Sequence, residues 1–299
     1  MNYNLILIRY GELSLKSPYV RKQFESILIR NISSAVHREH IPHTITKERG
    51  RIYLETDEIE KTLLVLSKIF GITSFSPVMT TSSDLSTISK VACTFFTTTK
   101  GSFALRVTRT GTHTYTSQEA AVEIGSNVVQ ATGLSVNLTR PEKELFIEIR
   151  NEHAYLFTEK IKGVGGLPMG TQGKVVAHID TPIALLASWY LLRRGCTVVF
   201  ACSNASLQPA IEQFLQTWYL TGQIISVSPK NTIDQIQNIC ANQHGTALVT
   251  GHILSEHKTK VLKDIKKLTS LCTVPILHPL IAMEKNDIRK QIKEMGIAQ

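Results

Sequence analysis

Hydrophobic and polar positions follow two periods along this chain, and the places where the period changes mark its organisation. Leu5 to Ile8 is an unbroken apolar run of strand length. After Gly11 the apolar positions Val20, Phe24, Ile27, Leu28, Ile32 and Val36 recur at helical spacing. Ser17 followed by Pro18 supplies a cap and a first-turn residue, so a helix opens there and docks one apolar stripe on a sheet. Arg51 to Glu55 alternates as a strand, Ile59 to Lys68 repeats the amphipathic helix, and Phe70 to Val78 leads out through Pro77. Residues 1 to about 76 thus predict a small α+β domain.

A second α+β unit follows. Ser86 to Thr97 reads as a helix and Phe103 to Thr108 as an alternating strand, while Thr116 with Glu119 forms a capping box whose helix ends at Gly133. Leu145, Ile147 and Ile149 point one way and Phe146, Glu148 and Arg150 the other, and Ala154 to Glu159 returns as the second strand of a hairpin. A glycine-rich connector, Lys160 to Lys174, closes this unit. From Lys174 strands and helices alternate strictly: Val175–Ala177, Pro182–Arg193, Thr197–Ala201, Leu207–Leu220, Ile224–Val227, Thr232–Cys240, Ala247–Thr250, then a lysine-rich helix. That order predicts a parallel sheet wrapped by helices.

Composition narrows the class. With 299 residues, 42% hydrophobic and 19% charged, the chain has material for two or three ordinary domains and is unlike a disordered one. The net charge of +9 suits a polyanionic partner as well as a moderately basic surface. Five scattered cysteines without a C-x-x-C indicate neither a disulfide framework nor a zinc site. His37, His40 and His43 are spaced like a metal-ligand set, but Pro42 interrupts the helix, so no metal site is expected there. The longest apolar stretch, Pro182 to Leu192, falls short of the roughly 20 residues a membrane span needs. A cytoplasmic protein with no membrane partner is expected.

Several strings fall in the order found in one family: RYGELSLKS (Arg9 to Ser17), GRIYLE (Gly50 to Glu55), FGITSFSPV (Phe70 to Val78), TSQEAAVEIG (Thr116 to Gly125), IKGVGGLPMGTQGK (Ile161 to Lys174) and PILHPLIAMEKNDI (Pro275 to Ile288). In these the chain resembles the tRNA 4-thiouridine synthetases (tRNA sulfurtransferases) over nearly its whole length. The resemblance implies an α/β with α+β architecture. Its parts are an N-terminal ferredoxin-like domain (1–76), a THUMP RNA-binding domain (77–165) and a doubly wound parallel-sheet, PP-loop ATP-pyrophosphatase-like domain of the adenine nucleotide hydrolase type (171–299). It further implies tRNA as partner, met at the single-stranded acceptor end, and a homodimer, since similar proteins are dimers.

Cations on short strands and loops of the first two domains, Arg9, Lys16, Arg21, Lys22, Arg106, Arg109, Lys143 and Arg150, are placed to track phosphates. Arg106 stands out because it points opposite to the apolar residues of its strand. Gly165 and Gly166 free the connector backbone to approach RNA, although glycine-rich joints also serve as plain linkers. Lys258, Lys260, Lys263, Lys266 and Lys267 share helix faces that either meet the tRNA body or are simply solvated.

The enzymes of this family carry a loop resembling S-G-G-x-D-S, whose backbone N–H groups wrap pyrophosphate at a helix N-terminus. Between Lys174 and Trp189 this chain reads VVAHIDTPIALLAS, without a glycine. His178, Asp180 and Thr181 occupy the turn, Pro182 removes one N–H, and Asp180 or Thr181 is expected to cap the following helix. A G-E-S-x-G-Q-like segment is replaced by GHILSEHKTK (Gly251 to Lys260), and His252, His257 and His278 read as scattered loop or surface residues. Cys272 lacks a paired thiol and reads as an ordinary small buried residue. The expectation is a tRNA-binding protein with a degenerate nucleotide loop, no catalytic residues of its own and no cofactor, working with a separate catalytic or sulfur-donor protein. The alternatives are an active ATP-dependent sulfurtransferase with a divergent loop, and an oligomeric scaffold for an RNA-modifying partner.

Overall fold

The computed structural model of the chain describes residues 3–11, 17–254 and 258–297. Its elements are, in order, β1 (Leu5–Tyr10), α1 (Pro18–Arg38), β2 (Thr44–Glu48), β3 (Arg51–Glu55), α2 (Ile59–Leu66), β4 (Ile72–Ser82), α3 (Leu85–Phe96), β5 (Ser102–Thr110), α4 (Ser117–Thr132), β6 (Ser135–Val136), β7 (Lys143–Arg150), β8 (His153–Phe157) and β9 (Ile161–Lys162). Then follow β10 (Lys174–Ile179), α5 (Ile183–Arg193), β11 (Thr197–Cys202), α6 (Gln208–Thr217), β12 (Ile224–Ser226), α7 (Thr232–Asn242), β13 (Leu248–Val249), α8 (Lys258–Leu271), β14 (Ile276–Leu277) and α9 (Lys285–Glu294). The chain divides into two compact units, Met1–Arg9 with His40–Leu63 and Ser74–Lys162, and Tyr10–Glu39 with Leu64–Thr73 and Gly163–Gln299.

The first unit is built on a mixed sheet in the order β2-β3-β1-β4-β8-β7-β5-β6, with β9 added on β4. The longest ladder is the parallel pairing of β5 with β7, from Phe103 opposite Lys143 to Thr110 opposite Arg150. Ile88, Ala92, Phe95 and Phe96 of α3 and Ala120, Ile124 and Val128 of α4 pack with Phe103, Leu105, Leu145, Ile147 and Ile149 in one buried cluster. The capping box at Thr116 and Glu119 forms as the sequence indicates, and Gly133 ends α4 in the left-handed conformation.

Several features depart from the sequence reading, among them the short strands β6 and β9, the latter within the stretch read as a connector. Strand β2 is not anticipated, because its residues are mostly exposed and its pattern is polar. Pro77, read as part of an exit, lies inside the eleven-residue β4. It falls between two ladders, Ser74 and Phe75 with β9 and Met79 to Ser82 with β8, so its missing N–H removes a bond from neither of them.

The second unit contains the parallel sheet, in the order β12-β11-β10-β13-β14. The chain moves outward from β10 through β11 to β12, then returns to place β13 on the other side of β10. Ligands of such sheets bind at the carboxyl ends of the strands where the order reverses, here between β10 and β13. Helix α5 is buried over most of its length, from Ala184 to Trp189 and at Leu192, as a helix against the middle of a sheet must be. Strand β14 and helix α9 complete the unit beyond the elements read from the sequence. Among the described residues no helix is long and apolar enough to cross a membrane.

Candidate functional site

At the switch point the ends of β10, β11 and β13 open onto a cavity of about 610 Å³. His178, Asp180, Thr181, Ser203, Thr232, Thr250 and His252 supply polar lining, Ile183, Ile236 and Leu268 part of its apolar wall, and Lys260 and Lys267 its cations, with Asp264 beside them in the lining. His178 is the penultimate residue of β10, and its Nε2 lies 2.9 Å from the Ser203 hydroxyl that follows β11. Burial lowers the His178 pKa, with Asp180 pulling it back up and His252 adding to the depression.

Three further side chains meet beside it, correcting the reading of His252 and His278 as scattered. The buried Thr250 hydroxyl lies 2.8 Å from His252 Nδ1 and 2.6 Å from His278 Nδ1, and the two nitrogens are 3.4 Å apart. A hydroxyl that donates to one imidazole and accepts from the other links all three. The backbone fixes this meeting, because Thr250 N–H donates to the Leu277 carbonyl and β13 pairs in parallel with β14. Burial and the neighbouring His252 lower the His278 pKa. No local motif foretells the triad; the signal is positional, since these residues follow two adjacent strands at their carboxyl ends. His257 lies outside the described residues.

The turn itself departs from the sequence reading in one respect. Neither Asp180 nor Thr181 caps α5: the N-cap is Pro182, without a side-chain bond, and the Thr181 hydroxyl turns to Asp180 Oδ1 at 3.3 Å. None of residues 178 to 183 has a positive φ, so the alternating left- and right-handed backbone of an anion nest is not formed. Gly251 packs directly on the start of α5; a Cβ there would lie 2.9 Å from the Ala184 nitrogen. Burial pushes the Cys272 thiol up, away from thiolate character. Among the described residues no group of three or more His, Cys, Asp or Glu is arranged to hold a metal.

The cations named from the sequence fall into distinct settings. Arg9 and Arg150 are buried rather than presented on the sheet. Arg9 donates to Ser76 at 3.0 Å and sits 3.5 Å from Glu148, and Arg150 reaches Glu148 at 3.1 Å and the Arg49 carbonyl at 2.6 Å. Arg51, which the sequence reading missed, meets the same carboxylate at 2.7 Å. Three guanidiniums thus converge on Glu148 because strands β1, β3 and β7 carry them there. Arg106 is half-exposed and bonds Glu144 at 2.6 Å and the Leu138 carbonyl at 2.8 Å. Arg109 donates to the Gly111 carbonyl, and Lys143 to the Phe95 carbonyl and the Thr99 hydroxyl.

In the second unit Arg21 pairs loosely with Glu25 at 3.9 Å, and Lys22 is exposed beside Tyr19. Lys16 lies outside the described residues. Gly165 accepts from Gly71 N–H, and at Gly166, with φ of +76°, a Cβ would collide with the Arg193 carbonyl. These glycines are structurally required, not merely a flexible joint.

Family models match these parts in chain order: the ThiI ferredoxin-like domain over residues 5–76, the THUMP domain over 86–159 and the thiamine biosynthesis protein (ThiI) over 205–299. A ferredoxin-like module, a THUMP module and a parallel α/β sheet in this order define the class of THUMP-containing tRNA-modification proteins. The chain is 32% identical to a probable tRNA sulfurtransferase of Methanobrevibacter smithii, over 99% of this chain and 87% of that protein. It is 33% identical to that of Methanothermobacter thermautotrophicus, over 99% and 85%. The chain belongs to the tRNA sulfurtransferase family. Its fold is similar to that of PH1313 from Pyrococcus horikoshii, with a TM-score of 0.84, 26% identity and coverage of 98% of this chain and 99% of that one. A 4-thiouridine synthetase crystallised with RNA and bound ATP shares the fold, with a TM-score of 0.79, 24% identity and coverage of 99% and 85%.

Proposed function

We propose that this chain is a tRNA-binding member of the tRNA sulfurtransferase family whose C-terminal domain keeps the parallel sheet without the adenylation chemistry. The observation that carries this reading is the turn from His178 to Pro182. It has no glycine, no left-handed residue and no side-chain cap, and Gly251 closes on the helix start where a pyrophosphate would sit. These residues do not fit a pyrophosphate cradle, and the proposed role therefore includes no step through ATP.

The domains of this reading are 1–76, 77–165 and 171–299, with tRNA met by the first two at its acceptor end and any chemistry supplied by a separate catalytic or sulfur-donor protein. The THUMP match and the RNA-bound relative support tRNA as the ligand. Of the proposed RNA contacts, Arg106, Arg109 and Lys22 retain some exposure, whereas Arg9 and Arg150 act through the sheet they hold together. Arg106→Ala is expected to weaken tRNA binding and to lower the slope of affinity against salt by about 1. Unchanged affinity would remove Arg106 from the interface.

A second reading, an active sulfurtransferase with a divergent loop, draws on the cavity with Lys260 and Lys267 at the switch point. One experiment separates the two: AMP release from labelled ATP, with and without unmodified tRNA, under conditions where a gel shift shows the tRNA bound. The expected result is bound tRNA without AMP. AMP formation that depends on tRNA would overturn the proposal.

A further inference from the structure

We propose that a cavity between α1 and the turn after α6 binds the phosphate group of a small phosphate monoester. The cavity lies within the second unit and has a volume of about 200 Å³. It shares no lining residue with the cavity at the switch point, so it is a second site, independent of whether the first takes ATP.

Helix α1 supplies one wall. Arg30, Ser34 and Arg38 recur every four residues and so share one face of the helix, over a length of about 12 Å at a rise of about 1.5 Å per residue. Arg38 is held in place, its Nη1 donating to the Leu220 carbonyl at 3.2 Å. The Arg30 guanidinium is exposed, and neither it nor the Ser34 hydroxyl has a side-chain or backbone partner among the described residues.

The turn after α6 supplies the other wall. Trp218 caps α6, and Tyr219 follows with φ of +52°, a left-handed conformation that helix ends usually reserve for glycine. The Tyr219 hydroxyl donates to Glu39 Oε1 at 2.9 Å, and this bond and the one from Arg38 hold the turn against the end of α1. Trp218 is only 6% exposed, and its buried Nε1–H finds no acceptor in the protein. A buried donor left unpaired is costly and calls for an acceptor. The Thr221 hydroxyl, also in the lining, is likewise without a partner among the described residues.

Charge and size select the ligand. No carboxylate lines the cavity, so the two guanidiniums stand uncompensated within it. A phosphate monoester brings a charge of about −1.5 to −2 near neutral pH and three strong acceptor oxygens, enough to meet both arginines, the two hydroxyls and the indole N–H together. A carboxylate offers one charge and two oxygens. Ile69, Phe70 and Met169 form an apolar floor suited to a few carbon atoms. The volume is below the roughly 300–1,000 Å³ of ordinary ligand pockets. A phosphodiester of RNA carries a single charge and brings a ribose on each side, for which a cavity of this size has no space.

The test is nuclear magnetic resonance of the full chain with isotope-labelled tryptophan. The chain has two tryptophans, so the signal lost in Trp189→Phe leaves the Trp218 indole N–H assigned. Ethyl phosphate is expected to move the Trp218 signal saturably, and ethanol or acetate at the same ionic strength to leave it in place. Arg30→Ala is expected to keep the circular dichroism spectrum of the wild type and to weaken ethyl phosphate at least tenfold, and Thr221→Val to weaken it by a smaller factor. A signal that does not move saturably in the wild type overturns the proposal, as does an affinity unchanged by Arg30→Ala or an equal response to acetate. A Trp218 signal that moves with tRNA but not with ethyl phosphate overturns it in favour of the RNA backbone as the occupant.

Discussion

In the mixed sheet, charge is buried and compensated: Arg9, Arg51 and Arg150 surround the carboxylate of Glu148, which is almost fully withdrawn from solvent. At the mouth of the parallel sheet the formal charges of Lys260 and Lys267 stay exposed, and the withdrawn groups are imidazoles whose depressed pKa values keep them neutral. A low-dielectric site admits a charge only with a partner, and otherwise favours the neutral form. The contrast teaches that arginines on strands are poor evidence for an RNA surface until their carboxylates have been found. Conversely, uncharged polar clusters at strand ends are easily overlooked, although the fold aims them into a cavity.

The largest expected effect breaks the charged hub. Glu148→Ala leaves three guanidiniums without their shared carboxylate, and removing one side of a buried ion pair typically destabilises by about 3–5 kcal/mol. Urea denaturation of the full chain measures it. A loss under about 1 kcal/mol would mean that water or Glu48, 3.6 Å from Arg150, takes over the role.

The histidines give a smaller, pH-dependent effect. Burial holds His178 and His278 below the unfolded value of about 6.5. As pH falls through that value the unfolded chain takes up protons that the folded chain does not, so stability decreases on acidification and stays reduced once both states are protonated. The urea midpoint is expected to drop between about pH 7.5 and about pH 5.5. His278→Gln is expected to flatten the slope. A slope identical in wild type and variant would assign the acid sensitivity to other groups.

Local patterns carried most of the fold. The cap at Ser17, the capping box at Thr116 and the strictly alternating elements after Lys174 were all legible, because each is specified by neighbours in sequence. What escaped depends on distant partners. The exposed residues of β2 form a strand only by pairing with β3, and Arg51 becomes part of a hub only when β7 brings Glu148 to it. In the same way His252 and His278, 26 positions apart, meet through the parallel pairing of β13 with β14. The missing glycines of the turn after β10 could be read directly, but the closure of Gly251 on Ala184 could not.

The smallest expected effect compares one helix start in each unit. Thr116 accepts from Glu119 N–H at 3.1 Å while Glu119 accepts from Thr116 N–H at 2.7 Å, so Thr116→Ala removes a working cap and is expected to cost about 0.5–2 kcal/mol. Thr181 lies two residues before α5, one short of the N-cap position, and its hydroxyl reaches only Asp180, so Thr181→Ala is expected to change stability by less than about 0.5 kcal/mol. Thermal unfolding of the two variants beside the wild type decides the point. Should Thr181→Ala cost as much as Thr116→Ala, the hydroxyl caps α5 in solution. The turn after β10 would then be an ordinary helix start with ordered N–H groups, and the case against an anion there would lose its local support.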